Sequence, residues 1–409
     1  MIQCRCCESP LEDKVIDFGP MPSANAFLSE VMLNQPEALY PLTVYICQNC
    51  WLMQIPEFHT APDMFSGEYL YFSSYAKSWV QHAARFCTTA TDRFNLNNES
   101  FVVEVASNDG YLLQEFVATN IPCLGIDPAE NAAAAALEKG VETIIDFFSA
   151  KTALNIVDTK GHADLIVANN VLAHVPDIND FIAGVAILMA PGGVVSFEFP
   201  HLARLLEKTQ FDTIYDEHFS YLSLGVIMRL FEQHGLAVFD VEELTTHGGS
   251  LRVYGRQKTN TSMHIESRVG TLLTSERDQG LEQLSTYIDF EKRAVTIRNA
   301  FRNLMSSEAA KGQKIAAFGA AAKGTVFLNY CDVGADAISF VIDDTPAKQG
   351  RFIPGVHIPV VSFDALEREK PDLIIILPWN FRDEIATYLE PARAWGARFV
   401  VATPKIEVF

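Results

Sequence analysis

Apolar positions along the central part of the chain fall into short runs that suit buried strands, separated by stretches whose apolar residues recur at helical spacing. The runs are Phe101 to Ala106, Ile121 to Ile126, Thr143 to Ile145, Ala163 to Ala168, Val194 to Phe199, Leu236 to Glu242 and Leu251 to Arg256. Nearly continuous hydrophobic strands alternating with helices predict a mainly parallel sheet covered on both faces. The last two runs, joined by Glu243 to Ser250, predict an antiparallel edge, and Pro191-Gly192-Gly193 predicts the turn before the fifth strand. Ahead of the sheet, Tyr75, Trp79, His82, Ala83 and Phe86 recur at helical intervals and predict a helix from Ser73 to about Thr91.

Beyond Thr259 a polar stretch to Lys311 carries Leu272, Leu281, Leu284, Ile288, Phe290, Ile297 and Phe301 at near-helical intervals, which predicts two helices. Strand patterns then return at Lys314 to Gly319, Ile338 to Ile342, Leu373 to Leu377 and Arg398 to Ala402, so a second α/β domain closes the chain. The segment up to about Leu70 has short strands and prolines and is too small to stand alone. These patterns divide the chain at 1–72, 73–258 and 259–409.

Composition narrows this. With 409 residues and 49% of them hydrophobic, the chain can fill two or three cores. The longest apolar run, Phe181 to Phe199, is broken by Pro191-Gly192-Gly193 and ends beside Glu198, so no membrane span is expected. A start at Met1-Ile2-Gln3-Cys4 carries no basic and apolar leader, which makes the cytoplasm the expected location. A net charge of -20 argues against nucleic acid and anionic membrane as partners. The cysteines sort into two CxxC pairs, Cys4 with Cys7 and Cys47 with Cys50, and isolated thiols elsewhere. Each CxxC turn aims two sulfurs at one point, as tetrahedral zinc requires; disulfides and a redox motif are the other readings. With four thiolates the metal would be structural and the core of the N-terminal segment, and Cys6 is a spare or a rival ligand.

Candidate chemistry begins where the first strand ends. Glu104-Val-Ala106-Ser107-Asn108-Asp109-Gly110 is a tight, small-residue turn, and Gly125-Ile126-Asp127-Pro128 ends the second run. A doubly wound sheet binds ligands there, with the acid after the second strand taking a ribose diol. The turn lacks the three glycines that cradle a pyrophosphate, and its acids would repel one. The guest it suits is S-adenosylmethionine, with its cationic sulfonium. Glu104, Ser107, Asn108, Asp109, Gly110 and Asp127 would bind it, with Asp146 on the adenine amino group, Phe147 on the ring and Asn169 facing the methyl. His174 follows Asn169 closely, although a lone histidine is as often a satisfied surface or core residue.

Tyr215-Asp216-Glu217-His218 follows the fifth strand, on the rim where ligands bind. A phenol, a carboxylate and an imidazole in four residues can form a proton relay, with His218 as base, Glu217 its orienter and Tyr215 a donor to an oxyanion; a wet loop is the plainer reading. Several such groups together suit an enolate whose carbon is the nucleophile. His247-Gly-Gly-Ser250-Leu-Arg252 opens the last strand with glycines that admit close approach. Gly319-Ala-Ala-Ala-Lys323-Gly324 lies between strand and helix and reads as an anion loop or as close helix packing. Asp343 and Lys348 could hold a nucleotide or simply form turns.

Taken in order, these motifs, with Tyr69-Leu-Tyr71-Phe-Ser-Ser74, Asn169-Asn-Val-Leu-Ala-His174, Asp343-Asp-x-x-x-Lys348-Gln-Gly350 and Trp379-Asn380, resemble the bacterial sugar C-methyltransferases of deoxysugar biosynthesis over essentially the whole chain. The resemblance implies an α/β fold with an N-terminal zinc-binding domain, a central class I (Rossmann-like) methyl-donor domain and a C-terminal Rossmann-like domain for a nucleotide-linked sugar. It implies a monomer that methylates C3 of a 4-keto-6-deoxy sugar, expected to be dTDP-linked, through an enolate. His218 is then the leading base, Tyr215 its rival or partner, and His174 with Tyr69 or Tyr71 would stabilise the enolate. His247, Ser250, Arg252, Gly319, Lys323, Asp343 and Lys348 would bind substrate. Ala106 stands where the family often has glycine, and Ala322 and Thr325 lie in a loop where the family varies. The rival readings are O- or N-methylation of a sugar, a nicotinamide-dependent enzyme and a non-catalytic sugar-nucleotide module.

Overall fold

The computed structural model describes residues 2–58 and 72–409; Tyr69 and Tyr71 lie outside them. By contact the chain forms two compact units that alternate along the sequence. The first comprises Met1–Leu11, Cys47–Leu202 and Phe219–Glu282, the second Glu12–Ile46, Ala203–His218 and Gln283–Phe409.

In the first unit seven strands form one sheet: β1 (Val102–Val105), β2 (Cys123–Ile126), β3 (Thr143–Ile144), β4 (Ala163–Asn169), β5 (Met189–Pro200), β6 (Leu236–Leu244) and β7 (Ser250–Gln257). Their order is β3-β2-β1-β4-β5-β7-β6, parallel except that β7 runs antiparallel to both β5 and β6. The expected antiparallel edge is therefore present. The order reverses between β1 and β4, and at such a switch point the loops at the strands' carboxyl ends diverge and leave a crevice. Val102, Val103, Leu165 and Val167 of β1 and β4 are wholly buried, as strands covered on both faces require.

Two local features differ from the pattern. Ser73–Tyr75 forms a 3-10 turn, and the helix runs from Lys77 to Phe94, burying Trp79, Ala83, Phe86, Cys87 and Ala90 along one stripe. Pro191-Gly192-Gly193 does not precede β5 but bulges within it: Ala163 pairs with Met189 while Leu165 pairs with Val194. A Cβ on Gly193 would stand 2.7 Å from the Ala163 carbonyl oxygen, so the bulge needs glycine there.

The second unit holds a six-stranded sheet of β8 (Ile315–Phe318), β9 (Val341–Ile342), β10 (Val360–Val361), β11 (Leu373–Ile376), β12 (Arg398–Val401) and β13 (Glu407–Val408), ordered β10-β9-β8-β11-β12-β13 with only β13 antiparallel. The helix Leu284–Ala310 buries Tyr287, Phe290, Ala294, Ile297, Phe301 and Met305 at helical spacing. A hairpin of Asp13–Pro22 and Leu39–Ile46 belongs to this unit, its Phe18 packing on Phe211 and Tyr330 with ring centroids 6.3 and 4.9 Å away. No helix among the described residues is long and apolar enough to cross a membrane.

Candidate functional site

At the carboxyl end of β1 the chain turns through Ala106, Asn108 and Gly110 with φ of 57°, 50° and 74°. This left-handed path costs nothing at glycine but strains Ala106, which explains why glycine suits that position. Asp127, at the end of β2, locks the turn: one carboxylate oxygen accepts from the Asn108 amide at 2.8 Å, the other from the Ala129 amide at 2.9 Å. Each oxygen retains a lone pair for a ligand hydroxyl. Burial raises the Asp127 pKa, and the two amides temper the rise. A Cβ on Gly125 would stand 2.3 Å from the Ser107 hydroxyl oxygen, so glycine there makes room for Ser107.

Glu104 is wholly buried, and neither of its carboxylate oxygens has a hydrogen-bond partner of normal geometry. Burial first, then the charges of Asp127 and Asp109, push its pKa well up, with the Tyr111 hydroxyl tempering the shift. An orphaned buried carboxylate is costly. A cationic ligand in the turn would remove that cost, so the donor set fits a sulfonium cofactor. Ser107, Asn169 and Asp109 likewise each leave a buried side-chain oxygen unsatisfied, while the other Asp109 oxygen bonds Lys139 at 2.8 Å. Asp146 is exposed and accepts from the Phe147 amide at 2.8 Å, with the Phe147 ring half-buried. His174 is half-buried and ends the 3-10 turn that follows β4.

Beside these, Glu198 of β5 anchors a network that periodicity did not reveal. Its carboxylate meets Arg252 at 2.6 Å and His82 at 2.8 Å, and it accepts from the Thr246 hydroxyl at 3.0 Å. Burial alone would raise its pKa, but the His82 and Arg252 contacts outweigh it and hold the carboxyl below its ordinary range. The Trp79 ring lies 5.0 Å from His82 and 5.1 Å from His247, while His247 Nε2 lies 3.3 Å from the Asn170 amide nitrogen. Arg252 is thus engaged by Glu198 and Glu242, and the Ser250 hydroxyl donates to the Thr246 carbonyl. Of this network the sequence pointed to His247, Ser250 and Arg252; the pairing of β5 with β7 brings in Glu198, and the helix Lys77–Phe94 and the turn before β7 bring in His82 and Thr246.

In the second unit, the segment from Phe211 to His218 carries the remaining candidates. His218 Nδ1 lies 2.9 Å from the Thr213 carbonyl, which makes Nδ1 the protonated nitrogen and gives Nε2 the lone pair. The Tyr215 ring centroid is 4.0 Å from that of His218. Glu217 accepts from the Asn25 side chain at 2.7 Å, and the Thr213 carbonyl supplies a contact that sets the imidazole tautomer. Burial pushes the Glu217 pKa up to about 7, with the Asn25 bond opposing the shift and Asp216 adding to it.

The loop after β8 is shaped by the two groups expected to bind nucleotide. Asp343 accepts from the Ala320 and Thr345 amides at 2.7 and 2.9 Å, and Lys348 donates to the Ala320 carbonyl at 2.8 Å. Gly319, at φ 88°, has no room for a side chain, since a Cβ would stand 2.3 Å from Pro378. Lys323, in the first turn of the helix Ala322–Cys331, donates to the Asn380 side chain at 2.7 Å, and burial lowers its pKa.

Cys4, Cys7, Cys47 and Cys50 bring their sulfurs within 4.8 Å of one another, with Cys4 to Cys50 at 3.4 Å and Cys7 to Cys47 at 3.5 Å. Tetrahedral thiolates about 2.3 Å from a zinc ion stand roughly 3.8 Å apart, so the set fits that metal. Both knuckles share one backbone: the Glu8 amide donates to the Cys4 carbonyl, the Trp51 amide to the Cys47 carbonyl, and Glu8 and Trp51 both have φ of 61°. The Gln54 side chain also donates to the Cys4 sulfur at 3.1 Å.

Three family models match the chain: a "Putative zinc binding domain" over residues 4–65, a "Methyltransferase domain" over residues 79–241 and a "C-methyltransferase C-terminal domain" over residues 245–404. The chain is 36% identical over 406 residues to C-methyltransferase NovU from Streptomyces niveus, covering 99% of this chain and 96% of that protein. It is 31% identical over 97 residues to a ubiquinone biosynthesis O-methyltransferase from Rhodopseudomonas palustris (strain BisB18), covering 23% and 37% respectively. Among solved structures, an S-adenosylmethionine-dependent methyltransferase from Clostridium acetobutylicum matches 44% of this chain and 92% of its own at 11% identity, with a TM-score of 0.36.

Proposed function

Because the chain belongs to the sugar C-methyltransferase family and is an S-adenosylmethionine-dependent C-methyltransferase, we propose that it methylates C3 of a dTDP-linked 4-keto-6-deoxy hexose through an enolate. The observation that carries this reading is the His218 contact with the Thr213 carbonyl, which leaves Nε2 as a proton acceptor. A keto group at C4 acidifies the C3 hydrogen. His218 Nε2 takes that proton, and the C–H electron pair moves into an enolate whose charge rests on the C4 oxygen. Tyr215, packed on the same imidazole, donates a hydrogen bond to that oxygen, with His174 and Tyr69 or Tyr71 as further donors. Glu217, whose carboxyl burial pushes up to about 7, would orient the imidazole or pass a proton at the same loop.

The cofactor, when bound, supplies an electrophilic methyl on a cationic sulfur. Asp127 would hold its ribose diol; Glu104 would face its positive end; Ser107, Asn108, Asp109 and Gly110 would line it. Asp146 and Phe147 would take adenine, and Asn169 the methyl side. That cofactor would supply the methyl carbon that C3 receives, its sulfur keeping the electrons of the carbon–sulfur bond. Holding both reactants in line supplies much of the acceleration. Gly319, Lys323, Asp343 and Lys348 would hold the nucleotide, with His247, Ser250 and Arg252 toward the sugar. The cysteine quartet would hold a structural zinc within a division of the chain at 1–72, 73–258 and 259–409. The protein would act as a cytoplasmic monomer.

The test is exchange of the C3 hydrogen in deuterated water, with S-adenosylhomocysteine in place of the donor and dTDP-4-keto-6-deoxyglucose as substrate. Wild-type protein should exchange it, and His218→Asn should slow exchange by about 10²-fold or more. Absence of exchange in the wild type would sink the enolate step.

A further inference from the structure

The segment that carries His218 also holds Asp212, a charged group unused by the mechanism above. Asp212 sits in the 3-10 turn Phe211–Thr213 and is 1% exposed. One of its carboxylate oxygens accepts from the Trp379 indole N–H at 2.7 Å; the other, Oδ1, is buried and has no hydrogen-bond partner among the described residues. Lys323, Trp379 and Asn380 are half-buried. Lys323 Nζ stands 4.8 Å from the centroid of the Trp379 ring and donates to Asn380 Oδ1 at 2.7 Å. All of these residues belong to one compact unit.

A buried carboxylate oxygen without a partner costs several hydrogen bonds' worth of solvation and persists in a native fold when something fills it. The chemistry around Asp212 selects what that is. A carboxylate repels phosphate but makes strong charge-assisted bonds to hydroxyl donors. An indole face packs on the C–H face of a sugar ring, and an amide such as Asn380 can donate and accept at ring hydroxyls. We propose that Asp212, Trp379 and Asn380 form a hydroxyl-recognition site for the hexose of the nucleotide-linked substrate, with Asp212 Oδ1 accepting from a sugar hydroxyl.

The placement has a consequence for the reaction. Thr213, whose carbonyl fixes the His218 tautomer, directly follows Asp212 in the chain. A hydroxyl held at Asp212 therefore sets the sugar's register one residue from the group that orients the base. Lys323 has a different part: its ammonium offsets the charge of the buried carboxylate.

This inference rests on the nucleotide-sugar reading, and the experiment separates the two. Binding of dTDP and of dTDP-4-keto-6-deoxyglucose is measured by titration calorimetry on the full chain, for wild type and Asp212→Asn. The variant should bind the sugar nucleotide about 10-fold or more weakly, the loss typical of a hydrogen bond to a charged group. Its affinity for dTDP should change less than about 2-fold. Equal weakening for both ligands, or no weakening, overturns the hydroxyl site. A wild-type protein that binds neither ligand overturns the nucleotide-sugar reading as well. If Asp212→Asn does not fold, Trp379→Leu, which removes the indole face, decides the matter by the same ratio.

Discussion

Glu198 offers the sharpest test of how the first unit is held together. Its carboxylate is wholly buried and bonded to Arg252, His82 and Thr246. Replacing it with glutamine keeps the shape but leaves the Arg252 guanidinium, whose side chain is 7% exposed, without its closest counter-charge. Breaking one side of a buried ion pair costs about 3–5 kcal/mol. Glu242 remains 3.1 Å from Arg252 and is itself 27% exposed, so compensation is partial and the cost should fall near the lower end, about 3 kcal/mol. Because the Glu198 carboxyl is held below its ordinary range in the fold, its contribution is present above the unfolded pKa of about 4.3 and is lost as pH falls through the lower folded value. The penalty of Glu198→Gln should therefore shrink in acid. Urea titrations followed by circular dichroism and tryptophan fluorescence, at neutral pH and in acid, measure both effects. A double variant, Glu198→Leu with Arg252→Met, should cost less than the sum of its single changes by at least about 1 kcal/mol. A neutral-pH penalty below about 1 kcal/mol, together with additivity in the double variant, would refute the network.

Three further outcomes follow from the same geometry. Ala106→Gly should stabilise the protein by about 0.5–1 kcal/mol, because relief of a left-handed alanine exceeds glycine's entropic cost; a lower melting temperature would count against the strained turn. Purified protein should carry one zinc per chain by atomic absorption, lose it and its thermal stability to a chelator, and bind it poorly as Cys47→Ala; metal-free protein of full stability would exclude a structural zinc. Glu217 has its pKa raised to about 7 in the fold, so its contribution is fully present below its unfolded value and lost as pH rises toward 7. Glu217→Gln should flatten the fall in stability across that window, and an unchanged pH profile would show that the carboxyl is not buried.

Much of the first unit was readable because strands buried on both faces leave nearly unbroken apolar runs, and seven such runs match seven strands to within a few residues. The turn after β1 was readable for a related reason: tight backbone demands small residues, and a side chain would collide at Gly125 and crowd its neighbours at Gly110. The bulge at Pro191 to Gly193 was misplaced because a turn and a bulge ask for the same residues, and only the pairing partner tells them apart. Glu198, His82 and Thr246 were invisible for want of a local signal; they come from three elements and gain meaning only when β5 and β7 pair. Asp212 stayed hidden three residues before a conspicuous motif, as its partner Trp379 lies far along the chain. The hairpin Asp13–Pro22 with Leu39–Ile46 shows the same limit, since an alternating strand advertises an apolar face but not which aromatic residues will meet it.

The central claim is that the methyl group lands on carbon. Protein incubated with an isotopically labelled methyl donor and dTDP-4-keto-6-deoxyglucose should yield a nucleotide sugar whose labelled methyl couples, by nuclear magnetic resonance, to the ring carbon C3, and His218→Asn should abolish that signal while donor binding persists. A labelled methyl bonded to oxygen, or transfer that survives loss of His218, would contradict the account.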